Sequence, residues 1–267
     1  MTPQKTIIII PARYASTRYP GKPLVPLHGV TGQAKTLIER SWLAAQAVRG
    51  VDEVFVATDD ARIEAEAKRF GAKVIMTSDD CRNGTERCAD ALARLGSSAD
   101  LVVNLQGDAP LTPPWFVEAL IEAMDGSAEV ATPVLRCEPD IHARFMEDRL
   151  QGRVGGTTAV MDAKGDALYF SKEVLPFTGR RYRSDELVPV FHHVGVYAYT
   201  PAALETYLSK DETELERLEG LEQLRFLYHG VPVRCVEVEA RGREFWELNH
   251  PLDVSRIEDV LRREKID

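Results

Sequence analysis

Thr6-Ile7-Ile8-Ile9-Ile10-Pro11-Ala12-Arg13-Tyr14-Ala15-Ser16-Thr17-Arg18-Tyr19-Pro20-Gly21-Lys22-Pro23 lies near the start of the chain. Thr6–Ile10 is β-branched, shows no polar alternation and stops at a proline, which reads as a strand buried on both faces. Ligands of open parallel sheets bind beyond the carboxyl ends of the strands. The loop that follows, with Arg13, Arg18, Lys22 and several hydroxyls, therefore falls at a binding edge. Arg grips phosphate oxygens in bidentate fashion and Lys adds a point charge. This is not a Walker A loop, because Gly21-Lys22 runs into Pro23, and the near-match Gly29…Lys35-Thr36 has Ala34 where glycine is needed. Gly152…Gly155-Gly156 lies outside any βα turn, so no dinucleotide pattern is present.

Downstream of this strand a βα rhythm continues. Leu37, Ile38, Trp42, Ala45 and Val48 recur at helical spacing, and Val51–Thr58 reads as a strand. Asp60 caps a helix with Ile63, Ala67 and Phe70 inward, and Ala72–Met76 is the next strand. A helix from near Thr85, a strand at Leu101–Leu105, a helix opened by Pro113-Pro114 and a strand at Val130–Leu135 complete the pattern. This is the α/β class: a mainly parallel sheet flanked by helices. The rhythm breaks near Pro139. Thr157–Met161 and Ala167–Phe170 form a hairpin around Ala163-Lys164-Gly165, and Val190–Tyr199 is a strand. Glu214–Tyr228 reads as one helix, Val231–Val238 as a strand and Pro251–Arg263 as a closing helix. We expect a single domain over residues 1–267, with residues 138–210 as an inserted smaller α+β subdomain.

The chain has 267 residues and a net charge of −9, unevenly spread: residues 1–38 carry +5 and the remainder −14. An acidic protein with a basic opening suits a small anion and disfavours nucleic acid as a partner. No apolar stretch reaches the roughly 18 residues of a membrane span. Ile7–Ile10 is too short for the apolar region of a signal peptide, so a cytoplasmic location is expected. Cys81, Cys88, Cys137 and Cys235 form no CxxC pair and read as reduced structural thiols.

Two further loops follow strands at the same edge. Asn83-Gly84-Thr85 reads either as a close approach for a ligand to backbone N–H groups or as a plain helix cap. Gln106-Gly107-Asp108 reads either as a carboxylate holding Mg²⁺ against phosphate oxygens or as an ordinary Asp turn. A basic loop and a carboxylate loop at one edge fit a nucleoside triphosphate with Mg²⁺.

Ile8 to Leu24 closely resembles the opening of the 3-deoxy-manno-octulosonate (Kdo) cytidylyltransferases. The resemblance continues, in order, through Val56-Ala-Thr-Asp59, Gly84-Thr-Glu-Arg87, Asn104-Leu-Gln-Gly-Asp108 with Pro110, and Ala167-Leu-Tyr-Phe-Ser171. It resumes at His193-Val-Gly-Val-Tyr197 and Leu221-Glu-Gln-Leu-Arg225. It implies a Rossmann-like nucleotidyltransferase fold and an enzyme that joins CTP to an eight-carbon acidic sugar, releases pyrophosphate, uses Mg²⁺ and forms a homodimer. By the same analogy Ala12, Arg13, Ser16 and Lys22 hold CTP, with Arg18 near its phosphates. Gly84, Thr85 and Arg87 lie along the nucleotide, and Asp108 ligates Mg²⁺. Gln106, His193, Tyr197, Glu222 and Gln223 face the sugar acid. From the residues alone, Glu222 equally fits a solvated helix face, and His193 a satisfied core histidine.

The chain departs from the family pattern at several positions. Asn249 stands where an Asp serves as second metal ligand, bringing an amide oxygen without charge, with Asp253 nearby as possible compensation. Ala109 replaces a Glu, Gly155-Gly-Thr-Thr-Ala-Val160 replaces a Lys-containing segment, and Lys172 replaces an Arg. These changes fall on the sugar and metal side. They keep two alternatives open: a cytidylyltransferase for a different acidic sugar or anionic acceptor, and a CTP-binding homologue without catalysis.

Overall fold

The structure, a computed structural model, describes residues 4–15, 19–96 and 98–267. Strand β1 (Thr6–Ala12) leads through a 3-10 turn at Lys22–Leu24 to a small hairpin, β2 (Pro26–His28) and β3 (Ala34–Thr36). There follow α1 (Leu37–Gln46), β4 (Glu53–Thr58), α2 (Ala61–Arg69), β5 (Lys73–Met76), α3 (Gly84–Leu95), β6 (Leu101–Leu105), α4 (Pro114–Ala123) and β7 (Val130–Arg136). The second half contains α5 (Pro139–Leu150), β8 (Thr158–Met161), β9 (Ala167–Ser171), β10 (Phe191–His193), β11 (Val196–Tyr199) and α6 (Pro201–Leu208). It closes with α7 (Glu214–Glu219), α8 (Leu224–Tyr228), β12 (Val233–Glu237) and α9 (Asp253–Arg263).

Strands β5, β4, β1 and β6 are parallel neighbours, so their carboxyl ends share one edge. Ile7 to Ile10 are all fully buried, and the period-two pleat sends them alternately to opposite faces. Ile8 and Ile10 pack with Ile63, Val103 and Phe116, while Ile7 and Ile9 pack with Cys88, Val102 and Tyr199. Each such isoleucine contributes about 2–3 kcal/mol by leaving water. This two-sided burial is what makes β1 an apolar run without alternation, and it fixes where the loop after Ala12 emerges.

β11 runs antiparallel to both β6 and β7, and β12 lies parallel on β7. β10 pairs with the far end of β7 and with β8, which forms a hairpin with β9. Among the described residues the sheet thus has ten strands, a parallel core extended by antiparallel strands. Residues 138–210 supply β8 to β11, with β11 inside the main sheet between β6 and β7.

Three expectations need correction. The stretch Val190–Tyr199 is not one strand: it breaks at Val194-Gly195, and the pairing with β7 slips by two residues between His193↔Val134 and Ala198↔Ala131. Across the break Val196 N donates to Val194 O at 2.7 Å. Glu214–Tyr228 is not one helix either. Gly220 takes φ 61°, which glycine adopts without strain, ends α7 there and turns Leu221-Glu222-Gln223 out of the helical path. Finally, Pro139–Leu150 is helical, a segment to which the sequence pattern assigns no element. Only His142 and Phe145 are buried along it, too narrow an apolar face to read from spacing.

Candidate functional site

The loop after β1 is shaped by Gly21. It takes φ 71°, its N–H donates to Tyr14 O at 3.0 Å, and a Cβ there would meet the Tyr14 ring at 3.1 Å. That turn starts the 3-10 segment whose first residue is Lys22. Lys22 Nζ donates to Asp108 Oδ2 at 2.6 Å, so the basic loop after β1 and the carboxylate loop after β6 meet directly. Ala12 is buried at the end of β1, and Arg13 is exposed and donates from Nη1 to Arg82 O at 3.3 Å. That contact ties the first loop to the segment ahead of α3. Ser16 and Arg18 lie outside the described residues.

The start of α3 forms the next wall. Asn83 caps the helix by accepting from Glu86 N at 2.8 Å. A Cβ on Gly84 would stand 2.8 Å from Gln106 Nε2 and 3.2 Å from Asn104 Nδ2, so a larger residue here would push the Gln106 amide from its place. Thr85 N donates to Glu222 Oε2 at 3.0 Å, and Thr85 Oγ1 bonds Tyr199 Oη at 2.8 Å. Gln106 Nε2 donates to Glu222 Oε1 at 3.3 Å. Burial pushes the Glu222 carboxyl above its usual range, against the opposing effect of the Thr85 N–H. Arg87 is buried and donates to Asp59 Oδ2 at 2.9 Å and Thr77 Oγ1 at 2.5 Å. Its charge braces the ends of β4 and β5.

The break after α7 is what brings Glu222 and Gln223 here, and a buried network fixes it. Arg225, 2% exposed, donates from Nε and Nη2 to both oxygens of Glu216 at 2.8 and 2.7 Å, and from Nη1 to Glu86 Oε1 at 3.2 Å. It also stacks on Tyr207, whose hydroxyl accepts from Asn83 Nδ2 at 3.0 Å. α8 is thereby locked to the start of α3.

The floor is polar and buried. Burial holds the Tyr197 phenol far above its usual value, so the hydroxyl keeps its proton and donates to Gln223 Oε1 at 3.0 Å. Gln223 Nε2 and both amide atoms of Asn104 are buried and find no partner among the described residues. Such orphans cost about 1–3 kcal/mol each and mark places where a ligand or water completes the bonding. Asn104 sits opposite Ile9 on β1 and Tyr197 on β11. Sequence reasoning gave it no role, although an amide inside Leu101-Val-Val-Asn104-Leu105 was the available signal. His193 bonds Thr132 Oγ1 through Nε2 at 2.9 Å and packs edge-on against Phe170. Burial pushes its imidazole down to about 3, with His192 adding to the effect, so the ring is neutral.

The returning chain closes the other side. Leu248 N donates to Asp108 O at 2.9 Å, which sets the Asn249 turn beside Asp108. Asn249 Nδ2 lies 3.5 Å from Glu247 Oε2 as donor, leaving Oδ1 as an acceptor. A Cβ on Gly195 would stand 3.4 Å from Glu247 Oε1, so the β10–β11 break faces this turn. Asp253 accepts at Oδ1 from Trp246 Nε1 and at Oδ2 from the N–H groups of Asn249 and His250. Its carboxylate is committed to shaping the turn.

A family model described as cytidylyltransferase matches residues 7–238. The 3-deoxy-manno-octulosonate cytidylyltransferase of Maricaulis maris is 45% identical over 97% of each chain. The 8-amino-3,8-dideoxy-manno-octulosonate cytidylyltransferase of Shewanella sp. (strain W3-18-1) is 38% identical over 96% of this chain and 98% of its own. A solved CMP:2-keto-3-deoxy-manno-octonic acid synthetase complexed with CTP superposes with a TM-score of 0.82 at 34% identity, covering 98% of this chain and 100% of that one. The 4-diphosphocytidyl-2C-methyl-D-erythritol synthase of Anaerococcus prevotii, at 13% identity and TM-score 0.58, shares the fold. With its nucleotidyltransferase fold and these relatives, the chain belongs to the cytidylyltransferase family, among the enzymes of 3-deoxy-manno-octulosonate.

Proposed function

We propose that this enzyme joins CTP to Kdo, forming CMP-Kdo for lipopolysaccharide or capsule and releasing pyrophosphate. The observation that carries the reading is the 2.6 Å meeting of Lys22 with Asp108 at the carboxyl edge of the parallel strands, in a chain whose relatives are named for this reaction. The anomeric hydroxyl of the sugar attacks the α-phosphorus. The new O–P bond forms in line as the bond to the bridging oxygen of pyrophosphate breaks, and the hydroxyl proton passes to water. Such a transfer needs positioning and charge neutralisation, with no protein nucleophile. Lys22 leaves Asp108 for the phosphates and, with Arg13 and Arg18, offsets their charge, while the Ser16 hydroxyl helps hold CTP by hydrogen bonding. Ala12, Gly84, Thr85 and Arg87 shape the nucleotide side. Gln106, Glu222, Gln223, Tyr197 and His193 face the sugar acid, where the buried Gln223 Nε2 offers an unused donor.

Mg²⁺ fits this edge by chemistry. It takes one or two protein oxygens and completes its shell with water and phosphate. The Asp108 carboxylate and the amide oxygen of Asn249 supply such oxygens, and the Leu248–Asp108 backbone bond holds the two turns together. When bound, the ion neutralises phosphate charge and acidifies the attacking hydroxyl. The reading extends to a cytoplasmic homodimer. No described helix is long and apolar enough to cross a membrane, and Leu168 on edge strand β9 is 62% exposed, with Leu218 at 74%. Pyrophosphate release with CTP, Mg²⁺ and a panel of acidic sugars tests the substrate. Turnover with Kdo supports it. Turnover only with another acid points to that acceptor instead, and CTP binding without turnover points to a non-catalytic homologue.

A further inference from the structure

We propose that Thr132 is a positioning residue that holds the His193 imidazole in the Nε2–H tautomer, so that Nδ1 accepts a hydroxyl hydrogen from the sugar acid. The identity of that ligand rests on the function proposed above; the tautomer rests on geometry alone. Thr132, on β7, is fully buried at the slip between β7 and the broken strand β10–β11. Its Oγ1 lies 2.8 Å from Val196 O, 3.1 Å from Val194 O and 2.9 Å from His193 Nε2. A threonine hydroxyl has one hydrogen, and a carbonyl can only accept. Pointed at His193, that hydrogen would leave two carbonyl oxygens facing the hydroxyl lone pairs, so it goes to a backbone carbonyl; Val196 O is the nearer, and Val194 O already accepts from Val196 N at 2.7 Å. Toward His193 the threonine oxygen is then an acceptor, which requires a proton on Nε2.

The ring is buried between the Phe170 and Tyr197 rings, at 5.0 and 5.6 Å between centroids. A ring kept neutral there carries a single proton. With that proton on Nε2, Nδ1 holds a lone pair. His193 in this state reads a hydroxyl group. It neither donates to the sugar carboxylate nor lends it positive charge. The same hydroxyl bonds Val196 O just past the break between β10 and β11, so one threonine ties the bend to β7 and sets the proton.

The test uses the full chain with ¹⁵N-labelled histidine. Long-range ¹H–¹⁵N spectra at neutral pH, with His193 assigned by its loss in His193→Asn, are expected to show a protonated Nε2 and an unprotonated Nδ1. A protonated Nδ1, or an imidazolium, overturns the proposal. Thr132→Val should release the ring to a mixture of tautomers. It should also raise the KM for Kdo about tenfold, the worth of one hydrogen bond, with the KM for CTP unchanged. Thr132→Ser, which keeps the hydroxyl, should restore both spectrum and KM. Unchanged KM for Kdo in Thr132→Val, or no rescue by Ser, also overturns it. If Thr132→Val does not fold, the wild-type spectrum and Thr132→Ser decide. If wild type does not turn over Kdo, the function proposal fails while the substrate-free spectrum still decides whether Thr132 sets the ring.

Discussion

Replacing Lys22 by Met separates what the Lys22–Asp108 pair does for the fold from what it does for the reaction. The two groups are 2.6 Å apart, with side chains 14% and 25% exposed. A pair at that depth is neither fully screened nor sealed from water, so removing the ammonium should cost about 1–2 kcal/mol of stability. For a chain of this size that lowers Tm by roughly 3–6 °C. The effect on catalysis is on another scale. If Lys22 is a preorganised cation at the triphosphate, its loss should slow pyrophosphate release about 10²–10³-fold, or roughly 3–4 kcal/mol of transition-state stabilisation. Calorimetry of the free protein and a coupled pyrophosphate assay at saturating CTP and Kdo measure the two separately. A variant with near-normal turnover, or one whose lost activity is matched by unfolding, would refute the role given to Lys22.

Other substitutions probe the remaining walls. Because burial raises the Glu222 pKa, the folded chain holds that proton more tightly than the unfolded chain. The resulting stability is complete below the ordinary value of 4.5 and is lost as pH rises through the folded value. Glu222→Gln should therefore be more stable than wild type near neutral pH, with the gain vanishing in acid, while turnover of Kdo falls; denaturant melts across pH would reveal a gain of the wrong sign. Asn249→Asp should lower the Mg²⁺ concentration needed for half-maximal rate, and an unchanged requirement would remove Asn249 from the metal site. Arg225→Met leaves Glu216 and Glu86 buried without their shared cation and should destabilise the chain by about 3–5 kcal/mol; a Tm within about 2 °C of wild type would contradict the lock between α8 and α3.

The nucleotide edge was legible because its signals are local. Four consecutive buried isoleucines ending at Pro11 announce a two-sided strand, and the loop chemistry follows it directly in the chain. The sugar side is built from contacts that no local pattern records. β11 slots between β6 and β7 from some sixty residues downstream of β7, a tertiary pairing invisible to periodicity. The leucine spacing at Leu215, Leu218 and Leu221 runs through Gly220, so the turn that delivers Glu222 looked like continuous helix. Thr132 and Asn104 sit within β-branched and apolar runs, where one polar residue is easily read as strand composition. Their roles emerge only when His193, Val196, Gly84 and Tyr197 are brought beside them. Asp253 looked like a spare metal ligand by proximity in sequence, whereas Trp246 and two backbone N–H groups occupy its carboxylate.

Crystals grown with CTP and Mg²⁺ put the central claim to its most direct measurement. The account predicts Lys22 Nζ moved from Asp108 onto a phosphate oxygen, with Asp108 on the divalent ion. A triphosphate bound elsewhere, with Lys22 still seated on Asp108, would contradict it.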